Sequence, residues 1–281
     1  MTLKKFILRP LILLVSVLVL TMNATITSAA DRDRIATFLN VTGFDVALDS
    51  IALSAENAPG IIGLDPRDFG PAWDTIAEDI FALGSMRSEA LDFLEQTLTD
   101  DVLTHAEGFY ATELGQRLVK AENASHLVAD GETKHIAGER IISDLVQQGD
   151  KRVEVLKRMG RAVEAGENSV KAIQEVQFRF IMAAVAAGMV ELQLDPADLK
   201  ERLEAQEGEM RLSIQTSGLT SSAYAYQDFT NAELETYSDA LETPEMQKVY
   251  QLLNAIQFEI TASRYEALAH RLAKIGPSED I

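Results

Sequence analysis

Apolar residues recur at three- and four-residue intervals along most of this chain, the spacing of amphipathic helices. Ile35, Phe38 and Leu39, then Val46, Ala47, Ile51 and Leu53, predict helix through 34–57, with a break at Asn57-Ala58-Pro59-Gly60. Leu64-Asp65-Pro66-Arg67-Asp68-Phe69 starts the next element: an aspartate that caps, a proline suited to the first helical position. Gly70-Pro71 restarts it, and Trp73, Ile76, Ile80, Leu83, Leu91, Leu94 and Leu98 follow at helical spacing. Thr99 opens a short helix with Asp100 and Asp101 in its first turn, where the helix dipole favours acids. Thr112-Glu113 opens a longer one, punctuated at Asp130-Gly131 and Gln148-Gly149-Asp150. Val153, Leu156, Met159 and Val163 resume the period; Gly166-Glu167-Asn168-Ser169 breaks it; helix then runs to about Leu192. Asp195-Pro196 starts a helix towards Ser213, and the small, polar stretch 216–228 reads as a loop. Thr230 with Glu233 forms a capping box, and Thr243-Pro244-Glu245 opens the last helix, to about Ile275. Two-residue alternation never persists, so no sheet is expected.

The N-terminus has a different pattern. Lys4, Lys5 and Arg9 precede an apolar run, Leu11 to Leu20, broken only by Ser16. That run is too short for a bilayer, which needs about 20 apolar residues. Ser28-Ala29-Ala30 supplies small residues at both positions a signal peptidase reads, so residues 1–30 are expected to be a cleavable signal peptide cut after Ala30. The alternative is an uncleaved anchor helix. The protein is accordingly expected to be periplasmic or secreted, without stable membrane insertion after cleavage. The most apolar later stretch, Phe180 to Val190, is a buried helix by length.

Two stretches match each other. Leu64-Asp65-Pro66 with Asp68 corresponds to Leu194-Asp195-Pro196 with Asp198, and Leu98–Ala124 corresponds to Phe229–Ala255. Within the second pair Thr99/Thr230, Leu103/Leu234, Thr112/Thr243, Gln116/Gln247, Asn123/Asn254 and Ala124/Ala255 are identical. The competing explanation is convergent helix-cap chemistry, since Asp-Pro and Thr-Pro-Glu are common helix starts. The duplication reading predicts an all-α fold: two pseudo-repeated helical bundle units in tandem after the signal peptide. The first unit is 31–150, the second 165–281, and 151–164 is a helical connector. Thr99, Leu103, Phe109, Tyr110, Thr112, Gly115, Gln116, Thr230, Leu234, Thr243, Pro244 and Gln247 form the repeat motif, with a structural role expected for all.

The run Phe109-Tyr110-Ala111-Thr112-Glu113-Leu114-Gly115-Gln116-Arg117-Leu118, preceded by Leu98-Thr99 and Leu103, resembles the signature of the domain of unknown function family 2059. The resemblance implies a bacterial, usually exported, helical protein with a core of short helix, FYxTPxGxK and long helix. It implies no activity. Glu113 stands where proline is usual. The second copy keeps Thr243-Pro244 and Gln247-Lys248 but has Ala240-Leu241 for the aromatics and Met246 for the glycine. A site built on the aromatic pair survives only in the first copy.

Charge and chemistry narrow the functions. Acidic side chains outnumber basic ones 44 to 25, a net charge of −19, and losing Lys4, Lys5 and Arg9 with the leader makes the mature chain more acidic still. Such a field repels polyanions and anionic lipid, so nucleic-acid binding is not expected. With no cysteine, thiol catalysis, disulfides and Cys-ligated metals are excluded. Each histidine follows an acid by three or four residues (Asp101/His105, Glu122/His126, Glu132/His135, Glu266/His270), and these read as surface ion pairs rather than a metal centre. Trp73, Tyr224, Tyr226 and Tyr237 suit core packing, or else a groove. No nucleophile, phosphate-loop or dinucleotide motif is present, and no cofactor is expected. Three functions remain. The first is a non-enzymatic envelope protein binding a protein, peptide or small ligand in a cleft between the halves. The second is a carboxylate hydrolase, with Glu113 and Glu245 as equivalent acids. The third is a self-associating scaffold, possible as a homodimer.

Overall fold

Helix caps chosen by local chemistry divide the chain into the elements seen in the computed structural model, which describes residues 29–128, 131–163 and 167–275. The expected signal peptide lies outside the described residues except for its last two. Ala29 forms an isolated antiparallel bridge with Thr99, and Ala30 is buried, its N–H donating to Leu98 O at 3.0 Å.

Asp31 caps α1 (Arg32–Val41) by accepting from the N–H groups of Asp33 and Arg34. Gly43 (φ +74°) turns the chain into α2 (Phe44–Ser54). The break expected at 57–60 is instead helical, as a 3-10 turn (Ala55–Asn57) and α3 (Ala58–Ile61). Pro59 falls in the first turn of α3, where its missing N–H has no partner to lose, and the chain breaks at Gly63 (φ +79°). Asp65 and Asp68 then form a reciprocal capping box on the 3-10 turn Pro66–Phe69. α4 (Ala72–Ile80), α5 (Leu83–Thr97), α6 (Asp100–Tyr110) and α7 (Glu113–His126) follow. Beyond them lie α8 (Gly131–Gln148), α9 (Arg152–Ala162), α10 (Glu167–Ala186) and α11 (Pro196–Glu204). α12 (Glu207–Ala225), α13 (Asn231–Leu241) and α14 (Pro244–Ile275) complete the order. No single described helix is long and apolar enough to cross a membrane; the apolar run expected as a buried helix over Phe180 to Val190 is helical only to Ala186, with Phe180, Ala183 and Ala184 buried and Ala186 and Gly188 exposed.

The loop expected at 216–228 is α12 for most of its length. Its small residues serve close packing: a Cβ on Gly138 of α8 would lie 2.3 Å from Thr220 O, so the two helices touch backbone to backbone. The Thr220 hydroxyl donates to Thr216 O at 2.7 Å and stays satisfied while buried. Composition that resembles a loop is here the composition of a tight helix pair.

The helices enclose two hydrophobic clusters. The larger surrounds α14 and includes Leu48, Met86, Leu94, Phe180, Ile260 and Leu268; the smaller joins Leu118, Leu156, Met159, Tyr226, Leu234 and Tyr237. Each fully buried leucine contributes roughly 2 kcal/mol. Phe109 packs against both clusters. The packing has a paired character. α9 lies on α12 and α13 as α1 lies on α5 and α6, and α10 lies on α12 and α14 as α2 lies on α5 and α7. α14 crosses to α5 and α6, while α12 crosses to α7 and α8.

Candidate ligand-binding site

Two corners carry the residues that match between the two stretches of sequence. At the first, between α6 and α7, the Thr112 hydroxyl donates to Phe109 O at 2.7 Å and accepts from Gly115 N at 3.0 Å. At the second, between α13 and α14, the Thr243 hydroxyl donates to Ala240 O at 2.8 Å and accepts from Met246 N at 3.4 Å. A Cβ on Gly115 would lie 2.5 Å from Phe109 O and 2.8 Å from Tyr110 Cα, so the first corner closes only on glycine. Thr99 and Thr230 precede α6 and α13. Thr230 makes the expected box with Glu233, whereas the Thr99 side chain hydrogen-bonds Asp101 instead of a backbone amide. Leu103 and Leu234 are fully buried. Gln116, Pro244 and Gln247 are exposed, with Gln116 reaching Ala111 O. These twelve residues shape the corners, and of them only Phe109 and Tyr110 join a larger chemical group.

Tyr110 meets Tyr250 hydroxyl to hydroxyl at 2.6 Å, and Tyr250 meets Tyr237 at 3.1 Å. Tyr237 donates to Glu122 Oε1 at 3.0 Å, and Tyr226 donates to the same oxygen at 2.7 Å. Phe109 stacks on Tyr237, with centroids 5.6 Å apart and planes within 7°, and meets Tyr110 edge-on. Phe229 packs edge-on against Tyr226, with the Arg117 guanidinium 5.0 Å above its ring. One motif pair from α6 thus meets aromatics from α12, α13 and α14 around a single carboxylate on α7.

Burial pushes the Glu122 carboxyl above its ordinary value, and the two phenol donors pull it partly back. Burial also raises Tyr110, Tyr226, Tyr237 and Tyr250, and the Glu122 charge raises all four further, so the phenols stay protonated. Burial, then Lys134, lowers His126.

Glu122, His126 and Tyr250 line two cavities. The smaller, about 150 Å³, is closed by Phe38, Phe44, Val249 and Leu253 with Asn123 and Asn254. Each asparagine meets a helix-ending turn: Asn123 abuts Gly43 after α1, and Asn254 Nδ2 donates to Val163 O after α9 at 3.0 Å. The larger cavity, about 870 Å³, is a groove walled by α7, α9, α12 and α13. Leu156, Met159, Ile214, Leu219 and Leu241 make it apolar, and Leu212 on its wall is 66 % exposed. Lys157, Arg161 and Arg211 also line it, against one carboxylate, Glu122. Lys157 pairs with Glu154 and Arg211 with Glu207; Arg161 has no ion pair among the described residues.

The expectation of surface ion pairs for the acid–histidine couples needs correction. Glu122 is turned inward to the phenols, because it falls on the buried stripe of α7 with Gly115, Leu118, Val119 and Ser125. That stripe was the signal in the sequence that could have found it. His105 meets Thr243, and His135 pairs with Glu139 at 3.3 Å, not Glu132. Glu266 binds Arg179 at 2.7 Å, with a smaller attraction from His270. Among the described residues no group of three or more candidate ligands gathers for a metal. Trp73 sits in the large core beside Phe69, and of the tyrosines singled out Tyr226 and Tyr237 reach the groove while Tyr224 does not.

The class so defined is an all-helical protein with a buried carboxylate–phenol network on the floor of an apolar, cation-lined groove. Residues 84–142 match the family described as "Uncharacterized protein conserved in bacteria (DUF2059)". That stretch holds the first corner and Glu122 but not Tyr226, Tyr237 or Tyr250. No curated protein and no solved structure matches the chain.

Proposed function

We propose that this chain is an exported, non-enzymatic binding protein that holds a small amphipathic anion in the groove. One observation carries the reading: in a chain of net charge −19, the large apolar groove is lined by Lys157, Arg161 and Arg211 and by a single carboxylate. Arg161, with no ion pair among the described residues, draws an anion to this wall, with Lys157 and Arg211 beside it held by Glu154 and Glu207, while the ligand's apolar body replaces water along Leu156, Met159 and Leu219. A two-carboxylate hydrolase finds no support. Neither Glu113 nor Glu245 lines either cavity, and that chemistry needs two opposed acids.

The groove belongs to a duplicated architecture in this reading. The equivalent corners, the reciprocal packing of α1–α2 and α9–α10, and the Asn123/Asn254 pair on equivalent turns support two copies of one unit. They favour grouping α9 with the second copy rather than treating 151–164 as a connector. α8, paired with α12, would then back the groove wall without lining the groove.

Calorimetric titration with laurate, lauryl alcohol and laurylamine tests the ligand class. Laurate is expected to bind, the alcohol weakly and the amine not at all, and Arg161→Glu should weaken laurate about tenfold, or about 1.4 kcal/mol. Failure of laurate to bind would end this reading. Export is tested by the N-terminal mass of the mature protein. Cleavage after Ala30 removes the Ala30–Leu98 hydrogen bond and leaves the Asp31 cap as the first residue.

A further inference from the structure

The hydroxyl protons of the network have few places to go. An ionised carboxylate cannot donate, so Tyr226 and Tyr237 must both give their protons to Glu122 Oε1. Tyr110 and Tyr250 share a 2.6 Å contact in which one donates to the other, and the remaining proton of that pair goes to Tyr237, at 3.1 Å from Tyr250 or 3.5 Å from Tyr110. Whichever of the two directions holds, all four phenol protons are consumed inside the network. What the network still offers is accepting capacity, above all at Glu122 Oε2, which takes no hydrogen bond from any described residue. Glu122 lines both cavities. At the lining cations the polarity is reversed: lysine and arginine only donate.

We infer that the groove selects a two-ended ligand: an anion held by Arg161, Arg211 and Lys157, an apolar middle, and a hydrogen-bond donor, hydroxyl or ammonium, delivered to Glu122 Oε2. This rests on the groove being the ligand site, as proposed above. A plain fatty acid satisfies the cations and leaves Oε2 facing methylene groups, which is the unfavourable pairing of a charged acceptor with apolar surface. A donor at the far end removes that penalty. Glu122 is thus a specificity-determining residue whose inner oxygen is positioned by Tyr226 and Tyr237 and whose outer oxygen reads the ligand.

The test is calorimetric titration of the full-length mature protein with straight-chain acids of increasing length, each as the plain acid, the ω-hydroxy acid and the ω-amino acid. At the one length that lets the far end reach Glu122, the ω-hydroxy and ω-amino forms should bind about tenfold tighter than the plain acid. Glu122→Gln keeps a carbonyl oxygen for both phenols and replaces Oε2 with an amide donor. It should erase the advantage of the ω-amino acid over the plain acid. Equal binding of plain and ω-substituted acids at every length overturns this inference and leaves the groove reading standing. So does an undiminished ω-amino preference in a folded Glu122→Gln protein. If none of the acids binds, the groove reading falls and takes this one with it. The wild-type series decides the matter even if the variant fails to fold.

Discussion

At the α6–α7 corner a threonine hydroxyl ties a phenylalanine carbonyl to a glycine amide; at the α13–α14 corner a threonine hydroxyl ties an alanine carbonyl to a methionine amide. The turn is held by the same hydrogen bonds in both places, yet the side chains around it have opposite tasks. Glycine at the first lets the backbone close, and Phe109 and Tyr110 there enter the phenol network. At the second, Met246 is fully buried and Leu241 lines the groove, so that corner contributes apolar filling. The difference teaches that the cap determines the bend, while the residues beside it determine whether the bend becomes a site or a core.

The largest effect should come from emptying the second corner. Met246→Ala leaves a cavity in the core and should lower unfolding free energy by about 3 kcal/mol in urea titration. Gly115→Ala sets a methyl against backbone atoms that cannot swing aside and should cost about 2 kcal/mol. A neutral Gly115→Ala would mean that the first corner tolerates the opening the second has, and the contrast would collapse. Tyr237→Phe takes one donor from Glu122 and one acceptor from its neighbours, for a loss of about 1.5 kcal/mol. Leu241→Ala, with no polar partner to orphan, supplies the apolar control at the equivalent corner. Thr112→Ala and Thr243→Ala should each cost about 1 kcal/mol, the first more, since its amide bond is 3.0 Å against 3.4 Å.

The smallest effect is a slope with pH. The Thr230 amide and the Arg117 guanidinium hold Glu233 at about 2, below its ordinary 4.5. A depressed carboxylate stabilises the fold above its ordinary value and loses that contribution as pH falls towards about 2. Thermal melts should therefore show a declining Tm over that window, flatter in Glu233→Gln. Glu122 has the opposite sign: its raised carboxyl favours the fold in acid and loses that contribution as pH rises through the raised value. Glu122→Gln should relieve that loss at neutral pH.

Much of the fold was legible because caps are local. Thr112, Thr230, Thr243, Asp65 and Asp195 each announce a start with their own side chain and the next three residues, and each does accept a backbone N–H there. What was not legible depends on partners distant in sequence. Stretch 216–228 looked like loop because its small residues are explained only by Gly138 on α8. Glu122 looked paired with His126 because both share a helix face; that the face points at Tyr226 and Tyr237, more than a hundred residues away, is decided by packing. The aromatic pair was visible as a motif, and Tyr226 and Tyr237 as aromatics suited to a core or a groove, while Tyr250 carried no signal at all.

α14 runs 32 residues from Pro244, with no glycine and no later proline to kink it, so it is a continuous shaft of about 48 Å that ties α4, α5, α6, α10 and α13 together. A shaft that packs on helices from both ends of the chain cannot act as a hinge between them. The most exposed wall of the groove is the first half of α12, which bears Leu212 and Arg211. If the groove binds as proposed, its loading should resemble a flap lifting from a keel rather than a jaw opening. Amide exchange should be fastest along that stretch of α12 and slowest along α14.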